Sequence, residues 1–422
     1  MRHEWPLRER LHMHTQTSPD NVGGNNAYVS LLFGASVPNI LHGMALGQSL
    51  DRFEHAYDRV LLVTDDVPAW ALHFLRLNWL VRRVQEIDMH RIDPAFFEQY
   101  SERHRQNEAR MFLKLHLFDS SLLPYDKVLF LDIDMVILDS IDEVFNLPPF
   151  SAVPCYGIYD SHGKQILNGD HHTEGREMEP GTTFNGGVML IAPNRKVHGM
   201  LMDDIYMREP WHKSSSHPSS WFLKEVFVWH AMGPDMNFSV RLTKGQTMSP
   251  AFFEFTIHQI RGLHFMGDGR PHLWFKHGTI EPFKRHWWKK SKLPKDFTKS
   301  QYEQMELRGR AALAAYATFA SQAIVKCAAA TGWKPIGCSS GAEEFKTAML
   351  HCIAVIKTQM CIQSSRYHAV KLLGALFALL FEWITSLMRG SQLALRRFSS
   401  HSAFLDCFAS VANRICTVLI RK

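Results

Sequence analysis

The sequence predicts an α/β domain built on a mixed, mostly parallel sheet, followed by an α-helical C-terminal extension. Three observations carry this. Short apolar runs of strand length recur at residues 27–33, 60–64, 128–131, 184–191 and 263–266, several of them bounded by turn residues. Helix-like stretches separate the first of these runs, and strand alternating with helix favours parallel strands joined by crossovers. Beyond about Lys299 the alternation stops, and Ala-rich stretches carrying Lys and Arg take over.

Taken in order, Ser36 is placed to cap a helix whose Pro38 is tolerated in the first turn and whose apolar positions run through Ile40, Leu41, Met44 and Leu50. Residues 69–84 and 109–118 read as further helices. The chain thus divides into a lead over 1–24, a main domain over 25–290 and a basic helical tail over 300–422. In a sheet of this kind ligands bind beyond the carboxyl ends of the strands, so that is where chemistry is expected.

Hydrophobic residues make up 46% of the 422 and charged residues 21%, which places the chain among folded proteins rather than disordered ones. The formal charge of +6 is unevenly spread: residues 301–422 hold 14 Lys/Arg against 6 Asp/Glu, the first 300 hold 33 against 35. The main domain therefore gives no basis for a nucleic-acid-binding face, and nucleic acid is excluded as a partner. Of seven cysteines only Cys155 precedes residue 300, so the main domain has no internal disulfide, and the remaining six contain no C-x-x-C pair of the zinc-binding type. The stretch MRHEWPLRERLHMHTQ has no apolar run of signal-peptide length, which sets a cytoplasmic start as the expectation.

The strongest chemical signal is KVLFLDIDMVIL, where an apolar strand runs into Asp132 and Asp134. Side chains two apart on extended backbone point the same way, so both carboxylates can reach one hard divalent cation carrying the phosphates of a nucleotide. A cation so held neutralises a departing diphosphate. Asp pairs of this spacing also serve as turn and capping residues. A phosphatase of the haloacid-dehalogenase type, with the first Asp as nucleophile, would show the same strand, and Gly267-Asp268 echoes its late acidic motif. That motif requires a second acid, and Arg270, Pro271 and His272 follow instead.

Several further segments, in order and at matching spacing, resemble glycosyltransferase family 8, the glycogenin-like group of nucleotide-diphospho-sugar transferases. They are AYVSL ending at Leu31, FLKLH around Lys114, the Asp132–Ile133–Asp134 pair, IDEVF from Ile141, FNGGV from Phe184, and HFMG from His264 followed by Arg270-Pro271. The resemblance covers residues 25–290 and implies a GT-A-like fold with a UDP-sugar donor and manganese. It implies that Leu31 lies on the strand cradling the uracil, and that Asp132, Asp134 and His264 hold the metal. Lys114, Ile133, Gly186, Gly267 and Arg270 would lie against the donor, with Asn185 facing its sugar. Arg270 stands where the family has lysine, keeping the charge while changing the geometry. Arg105 and Arg110 are alternative candidates for a nearby family arginine. His264, read by itself, could equally be a hydrogen-bonded core histidine.

Two departures bear on activity. The family carries an acid followed by Gln, opening a helix near the reacting carbon of the sugar; the counterpart here is PSSWFLK from Pro218, with Ser219 and Ser220 at those positions. Ser219 is therefore a candidate catalytic residue, and a weakened or dead UDP-sugar-binding descendant is the alternative function. Asp203 or Asp204 could substitute only under a different placement. There is also no tyrosine between Tyr206 and Tyr302, which disfavours self-glucosylation of the glycogenin kind. The expected function is a retaining hexosyltransferase acting on a glycan, polyol, lipid or protein acceptor. In the tail, residues 372–388 form an apolar run containing Glu382 and flanked by Lys371 and Arg389. It suits either a helix lying in a membrane interface, with a Golgi or other endomembrane location, or an amphipathic helix packed on protein.

Overall fold

The computed structural model describes residues 25–53, 57–93, 109–154, 158–159, 165–166, 174–178, 184–207, 218–239, 257–266, 271 and 299–331. The chain opens with strand β1 (Asn26–Leu32), helix α1 (Val37–Asp51), β2 (Asp58–Val63), α2 (Ala69–Leu75) and β3 (Leu80–Arg83). A 3₁₀ helix (Met111–Phe118) leads to β4 (Lys127–Leu131) and β5 (Met135–Ile137). Next come β6 (Ser151–Pro154), the short pair β7 (Ile158–Tyr159) and β8 (Gln165–Ile166), and β9 (Phe184–Ile191). Helices α3 (Arg195–Met207) and α4 (Pro218–Val226) are followed by β10 (His230–Ala231), β11 (Phe238–Ser239), β12 (Gly262–His264) and the long helix α5 (Lys299–Thr331).

Seven strands form the main sheet in the order β10-β6-β9-β4-β1-β2-β3. Only β9 runs antiparallel to its neighbours β4 and β6; the other pairings are parallel, as the sequence predicts. Side-chain alternation along the central strands explains why these runs are nearly all apolar, Ser30 of β1 being buried with its hydroxyl donating to the Leu131 carbonyl at 2.7 Å. Tyr28 and Leu32 of β1, Leu61 and Val63 of β2, and Leu129 and Leu131 of β4 turn to one face, where they pack with α1, α2 and α5. Ala27, Val29, Leu31, Val60, Leu62, Val128 and Phe130 turn to the other, against the 3₁₀ helix, α3 and α4. A strand covered on both faces has no polar side, so its hydrophobicity does not alternate.

Three expectations require correction. Residues 69–84 are not one helix: α2 ends at Leu75, a turn follows, and Leu80–Arg83 joins the edge of the sheet beside β2. Trp79 fixes that turn by donating its indole N–H to the Gly43 carbonyl at 2.9 Å. Residues 111–118 wind as a 3₁₀ helix, with Phe112 through Phe118 all buried. Ser36 occupies the N-cap of α1 without a side-chain capping bond, although Pro38 does sit in the first turn.

Helix α5, the first part of the tail, shares the core of the main sheet. Tyr316, Phe319, Ala320 and Ile324 belong to the cluster formed with α1 and β5. Lys326 donates to Asp51 at 2.8 Å and also bonds Asn78. Cys327 is buried on the same helix, and burial pushes its thiol up to about 12. Among the described residues no helix is long and apolar enough to cross a membrane. The apolar run at 372–388 lies outside the described residues.

Candidate active site

The carboxyl end of β4 delivers Asp132, and a two-residue turn carries the chain through Ile133 and Asp134 into β5. The turn is held by Asp132, whose N–H donates to the Gly187 carbonyl at 2.7 Å and whose carbonyl accepts from Met135 N–H at 3.2 Å. Strand β12 pairs antiparallel with β5 and places His264 opposite Met135. The Phe265 N–H then donates to the Asp134 carbonyl at 2.9 Å, fastening the histidine segment to the aspartate segment.

These constraints bring three side chains together from positions up to 132 residues apart: ligand atoms of Asp132, Asp134 and His264 lie within 4.8 Å of one another. His264 Nε2 is 3.2 Å from Asp134 Oδ1 and 3.7 Å from Asp132 Oδ2. The other ring nitrogen, Nδ1, is 2.8 Å from Asn237 Oδ1. Since an amide oxygen only accepts, Nδ1 carries the proton in that bond, and Nε2 is the ring nitrogen turned to the carboxylates. Two carboxylates and one imidazole nitrogen form an O,O,N donor set suited to a manganese-like ion. His264 is 2% exposed, with one ring nitrogen facing Asn237 and the other the two carboxylates.

Lys114 lies beneath the pair, reached from the 3₁₀ helix. Its ammonium is 2.9 Å from Asp132 Oδ1, donates to the Gly186 carbonyl at 2.8 Å and sits over the Phe130 ring. Buried cations require such pairing. One lysine against two carboxylates still leaves the cluster with negative charge to offer a cation.

Strand β9 supplies the opposite wall through a local irregularity. Ala152 of β6 pairs with Met189, whereas the next residue, Val153, pairs with Asn185, so Gly186, Gly187 and Val188 have no counterpart on β6. The extra length bows this segment toward the cluster, as bulges beside active sites do. The glycines leave little room there: a Cβ on Gly187 would come 2.7 Å from His264 Nδ1 and 2.9 Å from Asn185 Oδ1, and one on Gly186 would displace the Ser220 hydroxyl. Asn185 is pinned in place, accepting from Gly187 N–H at 2.8 Å and directing its amide nitrogen at Met266 Sδ, 2.9 Å away.

The structure thus assembles Asp132, Asp134, His264, Lys114, Asn185 and Gly186, with Ile133 packed behind them. Ser219 and Ser220 lie in the first turn of α4; Ser219 is buried and Ser220 is the one that meets Gly186. Helix α4 thus begins beside Gly186, while Asp203 is exposed on α3. Leu31 is packed under the end of β1. Arg110 is tied to Asp66 and Glu86 beyond the ends of β2 and β3. Gly267, Arg270 and Arg105 lie outside the described residues. Asn237 is the participant that sequence reasoning missed. It falls just before β11.

Residues 40–220 match the family model described as glycosyl transferase family 8. The chain is 25% identical over 248 residues to the uncharacterized protein R707 of Acanthamoeba polyphaga mimivirus, an alignment covering 58% of this chain and 82% of that one. It is 27% identical over 214 residues to UDP-glucuronate:xylan alpha-glucuronosyltransferase 1 of Arabidopsis thaliana, covering 50% of this chain and 26% of that one. Identity to human glycogenin-2 is 27% over 233 residues, covering 54% of this chain and 40% of that one. The chain therefore spans well under half the length of these two named relatives.

Proposed function

We propose that this chain, which carries a glycosyltransferase domain of family 8, transfers a hexosyl unit from a UDP-sugar to a carbohydrate-type acceptor, with manganese at Asp132, Asp134 and His264 and with retention of anomeric configuration. The observation that carries the reading is the His264 ring, whose Nε2 edge is turned into the two carboxylates by the Asn237 contact. Bound there, the ion would supply positive charge to the diphosphate of the donor. The chain's own residues do the rest of the positioning. Lys114 holds a buried ammonium at the floor, where negative charge develops as the sugar–phosphate bond breaks. Asn185 and Gly186 form the wall that orients the donor sugar, and Gly267 and Arg270, by the family resemblance, complete the diphosphate site.

A haloacid-dehalogenase-type phosphatase loses its ground, because its signature gives no role to a histidine converging on the Asp pair and the family match lies elsewhere. A catalytically weak or dead UDP-sugar-binding descendant is favoured by one observation: a serine hydroxyl, not a carboxylate, abuts Gly186.

The deciding experiment is UDP release on the full chain with manganese and a panel of UDP-hexoses, beside an Asp134→Ala control. UDP-glucuronate belongs in the panel because xylan glucuronosyltransferases are among the relatives. Release that requires manganese and is lost in the control establishes the transferase and names its donor. Manganese-dependent UDP binding without release establishes the dead binder, and no UDP binding at all refutes the site.

A further inference from the structure

Helix α5 begins 79 residues beyond the end of the family match, yet it touches the segments that carry the candidate metal ligands. The contact is organised around one buried polar pair. The Tyr316 hydroxyl on α5 lies 2.6 Å from His42 Nδ1 on α1, and both side chains are fully buried. Their rings meet edge to face at 5.4 Å. In apolar surroundings neither polar group is tolerated without a partner, so this bond, together with the contacts of Lys326 to Asp51 and Asn78, favours one placement of α5 against α1.

Each member of the pair borders one half of the ligand set. The Tyr316 ring packs edge to face on Phe265 at 5.4 Å, and Phe265 directly follows His264. Gly43, the residue after His42, lies so close to Ile133 that a Cβ there would be 3.0 Å from Ile133 Cδ1. Ile133 is the residue between the two aspartates. The histidine ligand is therefore backed through Phe265 by Tyr316, and the aspartate ligands through Ile133 by the backbone beside His42.

We propose that His42 and Tyr316 form a clasp between α1 and α5 that positions Asp132, Asp134 and His264 relative to one another, making both of them positioning residues for metal binding. The proposal rests on the metal reading given above. Ligands drawn from two distant segments bind a cation tightly only when their separation is fixed in advance, and outer-shell contacts set that separation.

The test is manganese affinity of the full chain, read from the EPR signal of the free ion, together with the melting temperature of each variant. Tyr316→Phe keeps the ring on Phe265 and removes only the hydroxyl. Lys326→Ala is the control: it weakens docking of the same helix through Asp51 and Asn78, neither of which is bonded to Ile133 or Phe265 in the contacts described above. The clasp predicts affinity about tenfold weaker in Tyr316→Phe, with Lys326→Ala unchanged. His42→Leu should reproduce the loss, and His42→Asn, whose amide can still meet the hydroxyl, should preserve affinity, so a variant that fails to fold does not end the test. Equal affinity in all variants, or equal weakening in Tyr316→Phe and Lys326→Ala, overturns the clasp. A wild-type chain that binds no manganese overturns the metal reading and the clasp with it.

Discussion

Asn237 Oδ1 accepts from His264 Nδ1 across 2.8 Å, and this one bond decides which edge of the imidazole faces Asp132 and Asp134. Asn237→Ala removes the acceptor and lets the other tautomer form, with an N–H aimed at the carboxylates. Manganese affinity should fall about tenfold or more. Asn237→Asp, which accepts more strongly, should hold it at or above the wild-type value. Isothermal titration of both variants tests the assignment, and an unchanged Asn237→Ala refutes it.

Gly187→Ala tests the wall. The added methyl has no room beside His264 Nδ1 and Asn185 Oδ1, so the imidazole must leave its position. Manganese binding should be weakened by at least about tenfold, with the far-UV circular dichroism of the sheet retained. Binding at wild-type affinity would show that His264 is not held by this contact.

Lys114 is paired with Asp132 at 2.9 Å in a setting where the lysine side chain is 4% exposed. Lys114→Met leaves the carboxylate without its cation and should destabilise the metal-free protein by about 3 kcal/mol. Saturating manganese should recover part of that loss, because a divalent ion restores positive charge at the same oxygen. Chemical denaturation with and without the ion measures both quantities. A deficit that manganese does not reduce would contradict metal binding at Asp132.

Acid should loosen the fold from the side of the sheet away from α5. His116 and His198, whose rings lie 5.4 Å apart, are both held below the ordinary histidine value of 6.5, chiefly by burial. The unfolded chain therefore takes up protons first as pH falls. The stabilisation due to their neutral forms is complete above about 6.5 and is lost progressively below it, through the lower folded-state values. Unfolding free energy measured from pH 7.5 to 5.5 should decline, and the decline should flatten in a His116→Gln, His198→Gln double variant. An equal slope in that variant would assign the effect elsewhere.

Strand positions were legible because strands buried on both faces need mostly apolar runs, and β9 falls where its sequence places it. The short strands were not. β10 has two residues and β5 has three, too few for any periodicity to register. The residues at 80–83 were absorbed into a helix because LVRR carries no strand pattern of its own; Trp79 and the partner β2 decide its conformation. Within the site, Asp132, Asp134 and His264 were legible through their motifs. Asn237 was not, since its role depends on a partner 27 residues away and on which ring nitrogen it meets. Tyr316 was hidden for the same reason: an Ala-rich helix reads as a separate appendage until its tyrosine is seen to face His42.

Cys327, buried on α5 with its thiol pushed up to about 12, gives that helix a chemical timer. Alkylating reagents attack the thiolate, which this thiol scarcely forms at neutral pH while α5 is docked. Its labelling rate, followed by peptide mapping to separate it from the other cysteines, should therefore report how far this face of α5 becomes exposed. Substitutions that undock α5 would quicken labelling, whereas changes confined to the ligand cluster would leave the rate where it was.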